Sequence, residues 1–457
     1  MQSFLCIISY DMVKSICVSR KFPVIERNIN AMSKTDWFVK DRFGMFIHWG
    51  IYAVPARNEW VRHYERISNE GYQMYFDTFD PVDYDPKIWA KAAKNAGMKY
   101  AVMTAKHHDG FCLFDSKLTE YKATNTKAKR DLIREFVDAF RAEGLKIGFY
   151  YSLLDWYHPD YPHYGDKFHP MRENEAYKSK EHNFERYLDY MHGQVRELCE
   201  NYGKLDIFWF DFSYENKFGE DWRATELVRM IRGYWPDILI DNRLEGSGEG
   251  YGSLMTDTPS EFSGDFICPE QIIPLDGFHT ESGKPVLWEA CVTMNNHWGY
   301  TQGDKNFKPA DMLVRKLVEC VSKGGNLLLN IGPDAKGNIP EESMTALEKI
   351  GKWMKKKSES VYGCGNAGMG KPEYGWITKK ENILYYHVLE NQVNAVPLTG
   401  GIKTSQIRRV WDVATGAEMK LHDSVFFSSY KDIPFVSFGE SPILPDPIDT
   451  VIGVELV

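Results

Sequence analysis

From Phe43 onward, short apolar runs alternate with longer segments of helical period, a pattern that a parallel sheet wrapped in helices satisfies. In one unit Asp85 caps a helix and Pro86 suits its first turn. Ile88, Trp89, Ala92, Ala93 and Ala96 define its face, and Gly97 stops it. The run Tyr100 to Met103 follows. The next unit sets Leu132, Ile133, Phe136, Val137 and Phe140 on one face, stops at Gly144 and enters Ile147 to Tyr151. A third carries Phe184, Tyr187, Leu188, Met191, Val195 and Leu198, breaks at Gly203, and leads through Ile207-Phe-Trp-Phe210 to Asp211.

Continued along the chain, this reading predicts strand ends near Ile47, Met103, Tyr151, Phe210, Ile240, Phe266, Trp288 and Ile331. Eight such ends predict an α/β fold, a (β/α)8-like barrel of the TIM type over residues 34–360. Helical signal is weak from Glu245 to Phe266, so one or two helices are expected to be missing or short. The glycine-rich run Glu245 to Gly250 lacks the spacing of a dinucleotide fingerprint and reads as a mobile loop. A helix from Glu341 to Lys357 comes next, with Lys355 to Lys357 as a solvated end. Then Ile383 to Leu389, Ile407 to Val413, Phe435 to Phe438 and Val451 to Val457, separated by Gly, Pro, Asn and Asp, predict an antiparallel β-sandwich over 361–457. Residues 1–33 are set aside as an N-terminal extension whose status is open: native, processed, or upstream of a start at Met32.

Composition narrows the partners. With 55 Lys and Arg against 64 Asp and Glu, the formal charge of −9 argues against nucleic acid. No apolar run approaches the roughly 20 residues that cross a bilayer, and Phe4 to Tyr10 is cut off by Asp11 without a basic leader. The eight cysteines contain no Cys-x-x-Cys pair. A reduced, cytoplasmic setting is expected.

In barrel enzymes the active site lies at the carboxyl ends of the strands. Here those ends read His48, His107, His108, Tyr151, Asp211, Arg243, Glu270, Glu289 and Asn330. So many polar groups on one rim need a ligand or a network to satisfy them, and suggest a polar, uncharged ligand such as a sugar. A retaining glycosidase needs one ionised carboxylate and one protonated one, roughly 5 to 5.5 Å apart. Asp211, Glu270 and Glu289 are the candidates. The three histidines also raise a metal hydrolase, but no His-x-His or His-Glu-x-x-His spacing supports one. Phe46, Trp49, Trp60, Trp209, Trp288 and Trp298 are candidates for stacking on a sugar, and some of them are expected to be core. Of the adjacent histidines, which point to opposite faces of an extended segment, one is a candidate structural group.

The segments Phe46-Ile-His-Trp-Gly50, Glu59-Trp60, Lys106-His-His-Asp-Gly-Phe111, Tyr150-Tyr-Ser152, Trp209-Phe-Asp211, Trp288-Glu289, Trp298-Gly-Tyr300 and Gly324-Gly-Asn-Leu-Leu-Leu-Asn-Ile-Gly-Pro333 closely resemble the α-L-fucosidases of glycoside hydrolase family 29. The resemblance runs in order from about Asp36 to Tyr362. It implies a barrel followed by a β-sandwich and a retaining hydrolase that removes terminal α-L-fucose from a glycan or glycoconjugate through a covalent fucosyl-aspartate, without metal or cofactor. Asp211 matches the nucleophile. His48, Glu59, Trp60, His107, His108, Tyr151 and Arg243 match residues that hold the sugar hydroxyls, and Phe46 and Trp298 match the apolar wall against its methyl group. Trp209 joins the binding set beside Asp211.

The acid/base position varies in the family. Glu270, in Ile267-Cys-Pro-Glu270, is preferred over Glu289, because a loop carboxylate reaches the leaving oxygen at the mouth while Glu289 braces the pocket. A hydrolase for a related sugar such as α-L-galactose, or an inactive fucose-binding protein, are the alternatives. The expected partner is a fucosylated oligosaccharide or glycoconjugate, with no nucleic acid and no membrane. A homo-oligomer stays open.

Overall fold

The computed structural model describes residues 33–246, 250–393, 395–421, 430, 433–439 and 443–457. The readings for residues 1–32 and for 247–249 within the glycine-rich run lie outside them. Lys34–Val457 form one compact unit.

Helix α1 (Asp36–Asp41) leads into strand β1 (Phe43–Ile47), and α2 (Val61–Tyr64), α3 (Asn69–Thr78) and α4 (Pro86–Asn95) fill the crossover to β2 (Tyr100–Lys106). Helix α5 (Leu132–Ala142) precedes β3 (Lys146–Ser152), α6 (Phe184–Asn201) precedes β4 (Ile207–Asp211), and α7 (Ala224–Tyr234) precedes β5 (Leu239–Ile240). A hairpin, β6 (Phe278–His279) and β7 (Pro285–Val286), comes before β8 (Glu289–Thr293), α8 (Ala310–Ser322), β9 (Asn326–Ile331) and α9 (Glu341–Lys357).

The parallel sheet has the order β5-β4-β3-β2-β1-β9-β8. Parallel bridges Asp241–Phe266, Ile267–Trp288 and Glu270–Cys291 thread residues 266–270 between its two edges. That segment is the sixth barrel position, reduced to single bridges. The weak helical signal there has a plain counterpart: among the described residues only a 3-10 turn, Gly252–Met255, and the β6–β7 hairpin stand where the fifth and sixth barrel helices would be. The strand expected to end at Trp288 instead begins at Glu289 and ends at Thr293. Trp288 lies under the barrel, where a Cβ on Gly325 would come within 2.3 Å of its ring, so glycine is required at the turn into β9.

Helix α5 illustrates the local logic. The side chain of Asp131 accepts from Arg134 N at 2.9 Å, a cap worth about 1 kcal/mol. Leu132, Ile133, Phe136, Val137 and Phe140 are all fully buried against the sheet, each contributing roughly 1.5–3 kcal/mol, and Gly144 at φ +77 ends the turn. In α4 the pattern departs from expectation, since Ile88 is exposed and Trp89, Ala90, Ala92 and Ala93 carry the contact.

Strand alternation divides the barrel into two layers. Odd positions of β1 and β3 (Phe43, Met45, Phe149, Tyr151) and even positions of β4 (Phe208, Phe210) face the helices. Phe46, Tyr150, Ile207 and Trp209 face the axis, together with Tyr100, Val102, Leu239, Phe266, Cys268, Cys291 and Leu328. Helix α1 closes the amino end, with Trp37 and Phe38 on the rings of Tyr100 and Phe266.

C-terminal to the barrel, β10 (Gly365–Asn366), β11 (Gly375–Lys380), β12 (Ile383–Val388), β13 (Val396–Pro397), β14 (Ile407–Asp412), β15 (Phe435–Val436) and β16 (Thr450–Leu456) follow. They form an antiparallel sheet in the order β10-β11-β12-β16-β14 and a β13–β15 pair, giving the expected sandwich. Arg315 on α8 donates to the carbonyls of Pro447 and Ile448 at 3.1 Å each. Lys357 corrects the solvated-end reading: its stem is buried, its Nζ donates to Asp449 O at 2.6 Å, and it pairs with Asp446.

Candidate active site

Asp211 is the last residue of β4 and faces the axis because Trp209, two residues earlier, does. The next residue, Phe212, has φ +85, which turns the chain off the strand at a cost of order 1–3 kcal/mol and lays its ring against Trp60 and His108. Oδ1 of Asp211 accepts from Arg243 Nη1 at 2.8 Å, and Oδ2 from the Tyr150 hydroxyl at 2.8 Å. His108 Nε2 lies 3.9 Å from Oδ2. Burial pushes the Asp211 carboxyl above the usual aspartate range. The Arg243 charge and the Tyr150 and Arg243 hydrogen bonds pull it back, while Glu270 adds to the rise.

Arg243 joins the two acids. Its Nη2 donates to Glu270 Oε2 at 3.2 Å and to Cys268 O at 3.3 Å, and the guanidinium sits 4.6 Å over the Trp209 ring. Burial works against its charge, but Asp211 and Glu270 outweigh that and hold it protonated. Glu270 is also fixed from the other side by Trp298, whose Nε1 donates to Oε1 at 3.1 Å, and its side chain is 45% exposed. Asp211 is buried and Glu270 is open to solvent, so the two carboxylates meet at the boundary between pocket and mouth.

The three imidazoles are neutral. His48 is pushed down to about 3 by burial, against the hydrogen bond with Asn330. Burial holds His107 and His108 well below the ordinary range, with added repulsion from His108 and His48 at the first and from His48 and Lys106 at the second. Asn330 commits its Nδ2 to Trp298 O at 2.8 Å, so its Oδ1 accepts from His48 Nδ1 at 2.7 Å and leaves Nε2 with a lone pair. Ser152 donates to Leu154 O at 2.9 Å and so accepts from His108 Nδ1 at 2.7 Å, with the same result. His107 stacks on Tyr150 with centroids 5.4 Å apart, and its buried Nδ1 and the Nε1 of Trp209 have no protein partner among the described residues. Both adjacent histidines thus stand at the site. Glu59 is buried, accepts from Gly299 N at 2.8 Å, and is raised by burial against that bond.

Aromatic rings wall the site. Phe46 lies 5.1 Å from Trp209 and 5.9 Å from Trp298, and Trp60 lies 5.0 Å from His108. Trp49 and Trp288 belong to the outer core instead. Gly332 lets the Trp298 segment approach, since a Cβ there would come within 2.7 Å of Trp298 O. A cavity of about 230 Å³ shares Asn330 and Gly299 with this rim but contains neither carboxylate.

Two expected site residues are elsewhere. Tyr151 faces the helices, donating to Gln194 Oε1 at 2.8 Å under the Lys106 ammonium; the pocket-facing tyrosine is Tyr150. Glu289 is the first residue of β8, not a strand end, so it lies at the amino end of the barrel. There it accepts from Tyr100, and burial pushes it up to about 8. Tyr150 and Ser152 are not among the strand-end residues that the sequence reading names, whereas Asn330 is one of them. Parity with Asp211 and Trp209 through the register Tyr150–Trp209 and Ser152–Asp211 is the signal that finds the first two.

A family model described as α-L-fucosidase matches residues 13–359 of this chain. The chain belongs to the α-L-fucosidase family. It is 28% identical over 372 residues to the plasma α-L-fucosidase of Homo sapiens, covering 75% of this chain and 72% of that one. Among solved structures it resembles α-L-fucosidase isoenzyme 1 from Paenibacillus thiaminolyticus, with 55% identity, a TM-score of 0.89, and coverage of 93% of this chain and 99% of that one. A family 29 α-L-fucosidase from Bacteroides thetaiotaomicron, solved as a trapped covalent intermediate with 2-fluoro-fucosyl fluoride, matches at 28% identity, TM-score 0.78, over 93% and 96% of the two chains. The fucosidase described here is accordingly a glycoside hydrolase of family 29.

Proposed function

We propose that this fucosidase releases terminal α-L-fucose from fucosylated glycans or glycoconjugates with retention, using Asp211 as nucleophile and Glu270 as acid/base. The observation that carries the reading is the Arg243 bridge: one guanidinium bonds to Asp211 Oδ1 and to Glu270 Oε2, so a buried carboxylate and a solvent-open one share a single cation, as a nucleophile and an acid/base flanking one bond would. The trapped covalent intermediate of the Bacteroides relative supports the same chemistry.

In the first step an Asp211 oxygen forms a bond to C1 while the glycosidic C–O bond breaks and the Glu270 proton passes to the leaving oxygen. In the second, Glu270 takes a proton from water, the water oxygen bonds to C1, and the ester bond to Asp211 breaks. Arg243 and Tyr150 stabilise the carboxylate that leaves. The neutral His48 and His108 present acceptors to sugar hydroxyls, and Phe46 with Trp298 supplies an apolar wall for the methyl group, which leaves a 6-hydroxylated sugar with an unpaired polar group.

The experiment is to label the enzyme with 2-fluoro-fucosyl fluoride and locate the adduct by peptide mass spectrometry. An adduct on Asp211 supports the assignment and one on another residue overturns it. For Glu270, the Glu270→Ala enzyme should regain turnover of an activated aryl fucoside with azide, whereas Glu289→Ala should retain activity without it.

A further inference from the structure

We infer that Gln271 is a positioning residue that sets Glu270 as the acid/base, and this rests on the reading of Glu270 given above. Glu270 belongs to the reduced sixth barrel position, where a strand contributes single bridges instead of a ladder, so little regular pairing fixes it. Gln271 supplies the missing part of the ladder with its side chain. Its backbone N–H donates to Cys291 O at 2.9 Å, its Nε2 donates to Thr293 Oγ1 at 2.9 Å, and its Oε1 accepts from Thr293 N at 3.3 Å. One residue thereby makes three bonds along the last three positions of β8, immediately after the bridge of Glu270 to Cys291.

The orientation of that amide is forced. Thr293 is buried, and its hydroxyl donates to Asn295 O at 2.5 Å while also accepting from Lys308 Nζ at 3.2 Å. Its remaining lone pair takes a donor, which is the Gln271 amide nitrogen. Gln271 also has φ +55, a left-handed conformation that a non-glycine residue holds only when its surroundings impose it. That turn carries the chain away from β8 directly after Glu270. The Glu270 carboxylate is therefore anchored at its backbone by Gln271 and at its oxygens by Arg243 and Trp298. A displacement of about 1 Å at a general acid costs up to about 100-fold in rate.

The test compares Gln271→Ala and Gln271→Gly, the second keeping the left-handed turn free of strain, on two substrates. One is a fucosyl disaccharide, whose leaving group needs a proton; the other is 2,4-dinitrophenyl fucoside, whose leaving group does not. Both variants should lose about 10- to 100-fold in kcat/KM on the disaccharide and no more than about three-fold on the aryl fucoside. On the aryl fucoside kcat and KM should fall together, because the second step, which needs Glu270 as base, slows and the covalent intermediate accumulates. Thr293→Val should reproduce the pattern, and Gln271→Ala/Thr293→Val should be no worse than either alone.

Equal losses on both substrates, or no loss on either, overturn the inference. Glu270→Gln is the control. If it lacks the leaving-group dependence, the acid/base assignment itself fails; if it has the dependence and the Gln271 variants do not, only the role of Gln271 fails.

Discussion

Tyr150 donates its hydroxyl to Oδ2 of Asp211 at 2.8 Å, from the strand next to the one that carries the carboxylate. Its neighbour Tyr151 points the other way and is bonded to Gln194 behind the sheet. Two adjacent tyrosines of equal burial therefore do different work. Tyr150→Phe should lower kcat/KM about 10- to 100-fold with little change in melting temperature, since Asp211 loses one of two strong donors. Tyr151→Phe should leave kcat/KM within about two-fold and cost about 1–3 kcal/mol of stability by stranding the Gln194 carbonyl. Steady-state kinetics and calorimetry on the pair test this; the reverse pattern would return Tyr151 to the pocket.

With Asp211 as the proposed nucleophile, Arg243 should set the acid limb of activity. The reacting form has Asp211 ionised, burial raises its pKa, and the Arg243 charge is the largest opposing influence. Removing that charge leaves burial less opposed, so Asp211 stays protonated to higher pH. Arg243→Met should therefore lose on the order of 10²- to 10³-fold in kcat/KM and move the acid limb upward, whereas Arg243→Lys should move it less. The pH dependence of kcat/KM reads the shift directly.

Asn330 fixes which nitrogen of His48 is left to accept a hydrogen bond. With Asp at position 330 a carboxylate would stand against Nδ1, favour the imidazolium, and raise His48 from its present value of about 3. The Nε2 atom would then donate instead of accept. Asn330→Asp should lose activity at low pH, by about 10-fold or more, and recover part of it as pH rises and His48 gives up the proton. Asn330→Ala should show a loss without that recovery. Imidazole titration followed by NMR supplies the independent measure.

The barrel was legible because each βα unit carries its own punctuation: Asp131 caps, Gly144 stops, and the buried face of α5 has a clean helical period. The sixth position was only half legible. Phe266 to Glu270 has an apolar run but pairs through single bridges, and the helix expected to follow is replaced by a hairpin whose strands are two residues long. The strand-end residues His48, Asp211 and Arg243 lie around Tyr150 and one another at the carboxyl rim of the barrel. Tyr151 and Glu289 were misplaced for one reason: a run of consecutive apolar and aromatic residues shows where a strand is, but not its parity or its first residue. Parity follows from the register between strands, a relation between distant segments that local periodicity does not contain. Lys357 misled similarly, because its burial depends on the turn at Asp446 to Asp449, some 90 positions away.

Glu289 offers a test that is independent of catalysis. It is fully buried at the amino end of the barrel, accepts from Tyr100, and is raised from an ordinary 4.5 to about 8 by burial. Below about pH 4.5 it is protonated in both folded and unfolded chains and stability does not depend on it. Between about 4.5 and 8 the unfolded chain releases the proton and the folded one retains it, so stability falls as pH rises; above about 8 the loss is complete. The full loss is on the order of 5 kcal/mol. Glu289→Gln cannot ionise and removes this pH-dependent part, while its amide nitrogen adds a cost that does not vary with pH. The difference in melting temperature between Glu289→Gln and the parent should therefore move in favour of the variant from pH 5 to pH 8, with activity preserved throughout. A difference that stays constant over that range would mean that Glu289 is already ionised in the folded barrel, and a loss of activity would tie it to the site at the opposite end.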